Sequence, residues 1–401
     1  MKTCHYFRRI TYFLICLSLA TGIYLVTTRS SQTVVEQART LTISTIHGTM
    51  TVDDPLVIDL INSPAMQRLK KLHQYGTPHY VVKRRLDYTR FEHSLGVYYI
   101  LHKHGASRAE QVAGLLHDIS HTVFSHACDP LFMGNLTSGA YQDTIHEEFL
   151  ARHGIKEILK KHGLSISDVS LDDDNCKALK QKYPALCADR IEYNIFAAYM
   201  DNLLSEEDIA SIHRDLHLDG HDWYFDTVES AKKFALIPLH QTLYAWTGPV
   251  FVLIGSWTSS ALRRALDLGL VTKEDICFGI TDDEMWQILN DSTDPEIRDY
   301  MNKITRAPQL FSWADEHDTN TTILKTKCSG IDPWVKTDNG LVLLSTLDPE
   351  FKRDYEITKK IVQSGWHVVV HNQPITDSHN ELDPRSTCIG VQPLEARSNV
   401  R

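Results

Sequence analysis

The stretch Arg90-Phe-Glu-His-Ser-Leu-Gly96, followed by Leu115-Leu-His-Asp-Ile-Ser-His121, is the most informative part of this chain. It places His93, His117 and Asp118 in one short region. The apolar residues around the second motif recur at helical spacing, which predicts that the adjacent imidazole and carboxylate lie on one helix turn. Such groups, without a thiolate, suit a hard or borderline divalent ion that supports hydrolysis.

The composition is that of a globular protein. The 401 residues are 42% hydrophobic and 23% charged. A formal net charge of −10 argues against a general nucleic-acid binder, because such proteins usually present a basic face. A small anionic substrate remains compatible with this charge, since a local cluster of basic side chains and metal is enough to hold it.

Residues 1–30 are predicted to lie outside the folded domain. Lys2, Arg8 and Arg9 precede an almost uninterrupted apolar run at 10–26. This order is typical of a secretory signal peptide, and the run is near the lower length limit for an uncleaved membrane anchor. Both interpretations export the domain, to the periplasm or beyond, because positive charges stay inside. Membrane contact is expected only through this segment. A buried N-terminal helix is the remaining alternative.

The rest of the chain divides by composition and periodicity. We predict a polar linker at 31–45, a mainly helical domain at 46–312, a small α/β region at 313–376 and a disordered tail at 377–401. Within the α/β region, the strand-like segments are 321–327, 340–345 and 366–370, with a helix at 351–364.

The cysteines give weak information. The chain has eight, of which six follow the predicted leader. They form no CxxC pair, which argues against a zinc ribbon or a thioredoxin-type motif. Cys176 and Cys187 are the nearest pair. The sequence leaves two alternatives open for them: a disulfide that clips a loop, or two buried free thiols.

Three ordered motifs give a specific resemblance to a known family. The first is the stretch at 90–96, the second runs from Leu115 to His126, and the third is Ala188-Asp-Arg-Ile-Glu-Tyr193. Together they resemble the motifs of HD-domain phosphohydrolases, and most closely those of the SAM- and HD-domain dNTP triphosphohydrolases. The similarity covers most of residues 45–310. It implies a mainly α fold, an HD-domain helical bundle, here with a small α/β C-terminal appendage.

The resemblance implies four metal ligands, namely His93, His117, Asp118 and Asp189. Asp189 is singled out only by the context of its motif. The residue types leave the divalent ion open among Mn, Fe, Ni, Zn and Mg. A bound ion of this kind makes a water acidic enough to attack phosphate near neutral pH and offsets charge on the phosphoryl group.

The resemblance also implies catalytic and substrate-contacting residues. His146, followed by Glu147, matches the general acid for the leaving oxygen, with Asp129 orienting it. The matched substrate contacts are Arg90 for phosphate, His121 and His126 for phosphate or support of the metal site, Gln74 for a sugar hydroxyl, and Tyr193 for stacking near the sugar. For each of these residues a structural role in the core is the alternative.

The chain departs from the family pattern at two places. Ser120 and Thr122-Val123 replace Gly and Gly-Pro, which changes the turn after the His-Asp pair. Residues 238–255 contain no Arg or Lys and are rich in aromatic residues, whereas the dNTP hydrolases carry basic residues there. Because a triphosphate needs cationic partners, this predicts a substrate pocket that is poor in positive charge.

The favoured function is metal-dependent hydrolysis of a phosphoester or phosphoanhydride, with a nucleotide or a related small phosphate compound as substrate. One alternative is a catalytically silent nucleotide-binding or interaction protein that holds a structural metal. The other is an exported effector that acts on a non-nucleotide phosphorylated substrate. The pair His146 and Glu147 beside a complete ligand set favours an enzyme. Homo-oligomer formation is an open expectation, because related enzymes assemble.

Overall fold

The computed structural model describes residues 40–133, 140–171, 176–315, 317–318 and 320–375. The predicted leader at 1–30 and the predicted tail at 377–401 lie outside these residues. Within the described ranges, no helix is both long enough and apolar enough to cross a membrane.

Helices form most of the described chain. In order they are α1 (Pro55–Ile61), α2 (Pro64–Arg68), α3 (Pro78–Val81), α4 (Arg90–Lys103), α5 (Arg108–Leu116), α6 (Asp129–Phe132), α7 (Tyr141–Arg152), α8 (Ile155–Lys161), α9 (Ala188–Met200), α10 (Glu206–Asp215), α11 (Val228–Gln241), α12 (Pro249–Asp267), α13 (Asp282–Asp291), α14 (Pro295–Thr305), α15 (Leu344–Leu347) and α16 (Pro349–Ser364). Short 3₁₀ and π turns connect several of them.

Three small sheets accompany the helices. Their strands are β1 (Leu41–Thr45), β2 (Gly48–Val52), β3 (Leu216–Asp219), β4 (Asp222–Phe225), β5 (Phe311–Trp313), β6 (Thr322–Leu324), β7 (Trp334–Thr337), β8 (Gly340–Leu343) and β9 (Trp366–Val370). Strands β1 and β2 form an antiparallel hairpin. The second sheet has the order β3-β4-β7-β8 with a parallel β4–β7 pair, and the third has the order β5-β9-β6.

Helices α4, α5 and α9 carry the motifs, and α4 packs against both α5 and α9. Two glycines allow this close approach. A Cβ on Gly114 would lie 2.3 Å from the Leu101 side chain, where α5 meets α4. A Cβ on Gly96 would lie 2.5 Å from Oε1 of Glu192 on α9. The bare backbone at Gly96 therefore lets a buried carboxylate lie against helix α4, close to His93.

Local capping explains where the key helices begin. Thr89 and Glu92 form a capping box at the start of α4, in which each side chain bonds the backbone of the other. Thr281 and Glu284 do the same at the start of α13. These caps fix the first turn of each helix. Arg90 lies between Thr89 and Glu92, so the capping box also fixes its position.

The loop after the His-Asp pair is held by a buried carboxylate. Phe124 and Ser125 have φ of 53° and 52°, the left-handed region. Asp282 accepts hydrogen bonds from the amides of Phe124 at 2.7 Å and His73 at 2.9 Å. Burial raises the pKa of Asp282 to about 6, although these bonds lower it. The carboxylate thus ties two cleft-forming loops to the start of α13.

The predicted fold class is confirmed: the chain is mainly helical with a small α/β region near its C-terminus. The predicted strands at 340–345 and 366–370 and the helix at 351–364 correspond to β8, β9 and α16. Phe351 of α16 and Val335 of β7 belong to the same buried core as Phe234 of α11. The α/β region therefore shares its interior with the helical part.

Three details differ from expectation. The predicted linker at 31–45 includes strand β1, because its alternating residues pair with β2. Strands β3 and β4 interrupt the region predicted as helical, and β4 gains a parallel partner from a distant part of the chain. Cys176 and Cys187 are both buried and are not joined by a disulfide, so the disulfide alternative is wrong.

A cluster of neutral histidines predicts acid sensitivity. Burial lowers the pKa of His104 to about 4 and that of His213 well below its usual value. The unfolded chain binds a proton near pH 6.5 and the folded chain resists it, so stability is complete above pH 6.5 and declines toward pH 4. The slope is about 1.4 kcal/mol per pH unit for each such group.

This acid sensitivity is measurable as a difference between two proteins. We expect the melting temperature of the wild type to fall between pH 6.5 and 4.5, and to fall less in His104→Gln. Trp223, whose ring centroid lies 5.1 Å from that of His104, provides a fluorescence signal for the region. Parallel pH profiles for the two proteins would contradict the assignment to His104.

Candidate active site

The four predicted metal ligands come together in the structure. His93 lies on α4, His117 directly follows α5, Asp118 is the next residue, and Asp189 lies in the first turn of α9. His93, His117 and Asp118 are buried, and the Asp189 side chain is 30% exposed. The packing of three helices therefore assembles residues that are up to 96 positions apart (93 to 189) in the chain.

The ligand atoms face one another at short range. Nε2 of His93 lies 3.1 Å from Nε2 of His117 and 3.2 Å from Oδ1 of Asp189. Each of the two Nε2 atoms lies 3.5 Å from a carboxylate oxygen of Asp118. Metal–ligand bonds of about 2.0–2.2 Å place neighbouring ligand atoms at roughly these separations. Ligand atoms of His93, His117 and Asp118 all lie within 4.8 Å of one another, which fits one divalent ion, and Asp189 lies beside the two histidines.

The outer nitrogen of each histidine has a defined acceptor. Nδ1 of His117 donates to the carbonyl of Gly114 at 2.7 Å, and Nδ1 of His93 donates to Glu192. When each ring carries its proton on Nδ1 only, the two Nε2 lone pairs point toward each other, and a cation between them would remove that repulsion. This is the usual outer arrangement of metal-binding histidines. The residues present fit a bound divalent metal.

Charge in the cluster also favours a cation. Burial lowers the pKa of His93, but Glu192, Asp189 and Asp118 raise it to about 10. Burial raises the pKa of Asp189, whereas its hydrogen bonds with His117 and His93 lower it below its usual value. The carboxylates thus stay ionised and create a strong local attraction for positive charge.

Arg90 connects the cluster to the cleft wall. Its guanidinium donates to Asp118 and, at 2.9 Å, to Oγ of Ser125. Burial raises the pKa of Asp118, but Arg90 and the neighbouring histidines lower it well below the usual range. Gln142 donates to the other Asp118 oxygen at 3.3 Å. Asp118 is therefore held from two sides, and Arg90 orients a metal ligand as well as lining the cleft.

A cleft of about 1110 Å³ opens over the cluster. His117, Asp118 and Asp189 line its wall. The aromatic side chains that line it are Tyr75, Tyr88, Phe124, Tyr183, Tyr193, Trp246 and Phe251. Its basic side chains are Arg90, Lys180, Arg190, Arg263 and Lys327. A divalent ion bound here supplies Lewis-acid polarisation and an activated water, and the chain supplies the oriented walls around it.

The expectation of a pocket poor in positive charge is wrong. Residues 238–255 do contribute uncharged and aromatic side chains to the cleft, including Trp246 and Phe251. The basic side chains come from other segments, because the fold brings Lys180 from the loop before α9 and Arg263 from α12 to the same space. The composition of one segment therefore did not predict the charge of the whole cleft.

The predicted acid His146 does not line the cleft, whereas its predicted partner Asp129 does. His146 is 4% exposed and has Nδ1 3.0 Å from Oγ of Ser120. Burial lowers its pKa to about 4. Glu147 is exposed to solvent. Asp129 contacts His126 at 3.0 Å and accepts from the amide of Tyr141 at 2.9 Å, and its role in orienting His146 stays a prediction.

The side chains of α7 that reach the cleft lie one turn earlier. Gln142 and Asp143 line it, and Asp143 forms an ion pair of 2.8 Å with Lys180. Residues four apart share a face of a helix, so Gln142 and Asp143 lie on the same faces as His146 and Glu147, and the roles of His146 and Glu147 stay predictions. Sequence inspection had no periodic signal for Lys180, which lies in a loop.

The remaining predicted contacts lie in or beside the cleft. Gln74, Arg90, His121, His126 and Tyr193 all line it. The side-chain oxygen of Gln74 is buried and has no partner among the described residues. Nε2 of His121 lies 3.4 Å from Asp118, whereas His126 is largely exposed. The placement is compatible with substrate contact for this group, and their individual roles stay predictions.

Comparisons with known proteins agree with the geometry. A model of the HD domain family matches residues 90–203. An uncharacterized protein of Bacillus subtilis, YdhJ, is 29% identical over 320 residues, which is 80% of this chain and 96% of that protein. The metal-dependent phosphohydrolase cns2 of Cordyceps militaris is 26% identical over 266 residues, covering 63% of this chain and 74% of that protein.

Similarity to a dNTP triphosphohydrolase is partial. The human deoxynucleoside triphosphate triphosphohydrolase SAMHD1 is 33% identical over 140 residues, 30% of this chain and 22% of that protein. A phosphohydrolase structure from Bacteroides thetaiotaomicron has a TM-score of 0.62 at 15% identity, over 84% of this chain and all of that chain, which shows the common fold. Residues 90–203 match the HD domain family, and this match, the assembled residues and the relatives support a metal-dependent phosphohydrolase of the HD-domain superfamily.

Proposed function

We propose that this HD-domain hydrolase cleaves a phosphoester or phosphoanhydride bond of a nucleotide. The observation that carries the proposal is a single cleft in which the metal cluster, basic side chains and aromatic side chains meet. Phosphate requires the first two, since its charge must be matched when it leaves water. A sugar and base offer ring faces and edges that aromatic side chains contact well.

The aromatic part of the cleft is built on α9 and the turn after α11. The rings of Tyr193 and Trp246 meet edge to face with centroids 5.3 Å apart. The hydroxyl of Tyr193 lies 3.0 Å from that of Tyr183. Tyr193 lies one helical turn after Asp189 on α9. One small molecule could therefore place its phosphate at the metal cluster and its ring against Tyr193.

The relatives support a phosphate compound more firmly than a particular nucleotide. The name of SAMHD1 states a deoxynucleoside triphosphate as substrate, but only a fifth of that protein is matched. The cleft here has Trp246 and Phe251 in the segment that lacks Arg and Lys. We therefore propose that the substrate is a nucleotide whose uncharged part lies at that end of the cleft. It would make fewer contacts with basic residues there than a triphosphate bound wholly by such residues.

The direct test is a substrate panel on the full chain. Protein loaded with each of Mn, Fe, Ni, Zn and Mg is incubated with dNTPs, NTPs, nucleoside monophosphates, phosphodiesters and non-nucleotide phosphate esters. Released phosphate, pyrophosphate and triphosphate are separated by ion exchange. We expect turnover of at least one nucleotide. Turnover confined to non-nucleotide esters would contradict the nucleotide, and no release from any compound would contradict the enzyme.

Lys180 gives a sharper prediction within this cleft. Lys180→Met should lower kcat/KM about 10- to 100-fold, mainly through KM, because one charged hydrogen bond to phosphate contributes about 1.5–3 kcal/mol. Lys233→Met is a matched control, since both lysines pair with an aspartate, at 2.8 and 2.7 Å, and are 38% and 39% exposed. Equal kinetics for the two variants would contradict a substrate contact at Lys180.

A second candidate concerns where the enzyme acts. The basic residues and apolar run at 1–26 favour export, and an exported enzyme would meet a different set of phosphate compounds. On this proposal, the substrate is an extracellular or periplasmic phosphate ester. A reporter fused after residue 40 tests export: activity of a reporter that functions only outside the membrane is expected, and retention of the fusion in the cytoplasm would contradict it.

A further inference from the structure

A second group of imidazoles and a carboxylate lies outside the HD cluster. Potential ligand atoms of His73, His79 and Asp87 all lie within 4.8 Å of one another. Oδ1 of Asp87 is 3.2 Å from Nδ1 of His73 and 3.4 Å from Nδ1 of His79. Zinc bonds to nitrogen and oxygen of about 2.0–2.2 Å place adjacent ligand atoms at about this separation. We propose that these three residues bind a second divalent transition-metal ion, with zinc the best match.

An outer carboxylate prepares His73 as a ligand. Its Nε2 lies 3.4 Å from Oδ1 of Asp283, and Asp283 also accepts a 2.7 Å hydrogen bond from the hydroxyl of Tyr80. A proton held on Nε2 by Asp283 leaves the lone pair of Nδ1 directed at the site beside Asp87. Metal-binding histidines commonly donate their second nitrogen to a carboxylate in this way. The group thus has three ligands and one orienting residue.

The backbone of His73 is held in place by two contacts. Its amide donates to the buried Asp282, and its residue bridges to Thr89 in antiparallel fashion. Its side chain is only 6% exposed, whereas those of His79 and Asp87 are 32% and 59% exposed. One ligand is therefore rigid and two lie at the surface, which gives an ion an entry path from solvent.

Ring stacking shows what must change when an ion binds. The rings of His73 and His79 are nearly parallel, at 7°, with centroids 3.4 Å apart. Lone pairs in parallel planes do not converge, so one ring must tilt to share a cation. His79 is the ring that moves on this proposal, because it is the more exposed and lies on the four-residue helix α3.

The position of this site couples it to the cleft. Residues 73–89 directly precede Arg90 in the chain. Three of them, Gln74, Thr77 and Tyr88, line the cleft. An ion held by His73 and Asp87 would join the two ends of this segment. On this proposal, the ion stabilises one wall of the cleft, and it is separate from the ion that His93 and His117 would hold.

Metal counting on the full chain tests the proposal. We expect zinc titration with a chromophoric chelator, checked by elemental analysis, to show two tight ions on the wild type. Asp87→Asn and His79→Ala should each lose one ion, and Asp189→Asn should lose the other. His102→Ala, which removes an exposed histidine bonded to Gln111 at 3.0 Å, should keep both. Asp87 is surface-exposed, so Asp87→Asn is expected to fold.

Anomalous diffraction from zinc-soaked crystals locates each ion. A peak beside His73 and Asp87 in the wild type, with His79 turned out of the stack, is the expected result. The proposal would be overturned if Asp87→Asn and His79→Ala bound the same number of ions as the wild type. A peak at His93 without one at His73 would also overturn it, while leaving the HD metal site intact.

Discussion

Replacing Asp118 by asparagine is expected to reduce phosphate release about 1000-fold or more. The substitution removes a negative charge from a buried site where His93 and His117 converge, so the affinity for a divalent ion falls. Loss of the Lewis acid removes several kcal/mol of transition-state stabilisation, which corresponds to this factor. Single-turnover assays across a range of metal concentrations measure the loss.

Two further variants separate lost chemistry from lost folding. Asp118→Asn also leaves Arg90 without its buried partner, and breaking such a pair costs about 3–5 kcal/mol. Asp189 is more exposed and pairs with His93 and His117 but with no arginine among the described residues, so Asp189→Asn should lose activity with a smaller change in melting temperature. Asp299→Asn, an exposed surface change on α14, should keep full activity. Folded Asp118→Asn and Asp189→Asn with wild-type turnover would contradict the assigned metal site.

The position of the metal cluster was largely predictable from the sequence. His117 and Asp118 are adjacent on one helix end, and local spacing alone places them together. Asp189 is far along the chain and required the resemblance of its motif, because no local rule states that α9 packs against α4. Glu192 lies within that same motif, one turn after Asp189, and i, i+3 spacing could have identified it as a neighbour of the cluster.

The chemistry of the cleft was less predictable because it depends on tertiary packing. Lys180 and Arg263 reach it from segments with no local signal for a binding role. Whether Gln142 or His146 faces the cleft depends on how α7 lies against Asp118 and Ser120, and both residues lie on one face of α7. The second group at His73 escaped for a related reason: its members lie 14 residues apart, from 73 to 87, in a segment whose path is set by Asp282.

Glu192→Gln should weaken metal affinity about 10- to 100-fold while leaving the four ligands in place. Glu192 is 1% exposed and accepts from Nδ1 of His93 and the hydroxyl of Tyr88. Its other oxygen lies 3.4 Å from Nε2 of His47. Burial raises its pKa, but His93 and His47 lower it below the usual value, so the side chain is ionised. Glutamine keeps the volume and removes the charge that fixes the His93 tautomer.

A second buried glutamate offers a matched control for this effect. Glu110 is 4% exposed and accepts from the amides of Ala178 and Leu179 at 2.7 and 3.1 Å. Both Glu110→Gln and Glu192→Gln lose charged hydrogen bonds, so each should lower the free energy of unfolding by about 1–3 kcal/mol. Only Glu192→Gln should shift the metal-binding curve, because only Glu192 contacts a ligand. Equal metal affinity in the two variants would show that Glu192 is merely structural, whereas a selective shift makes it the residue that prepares His93 for the ion.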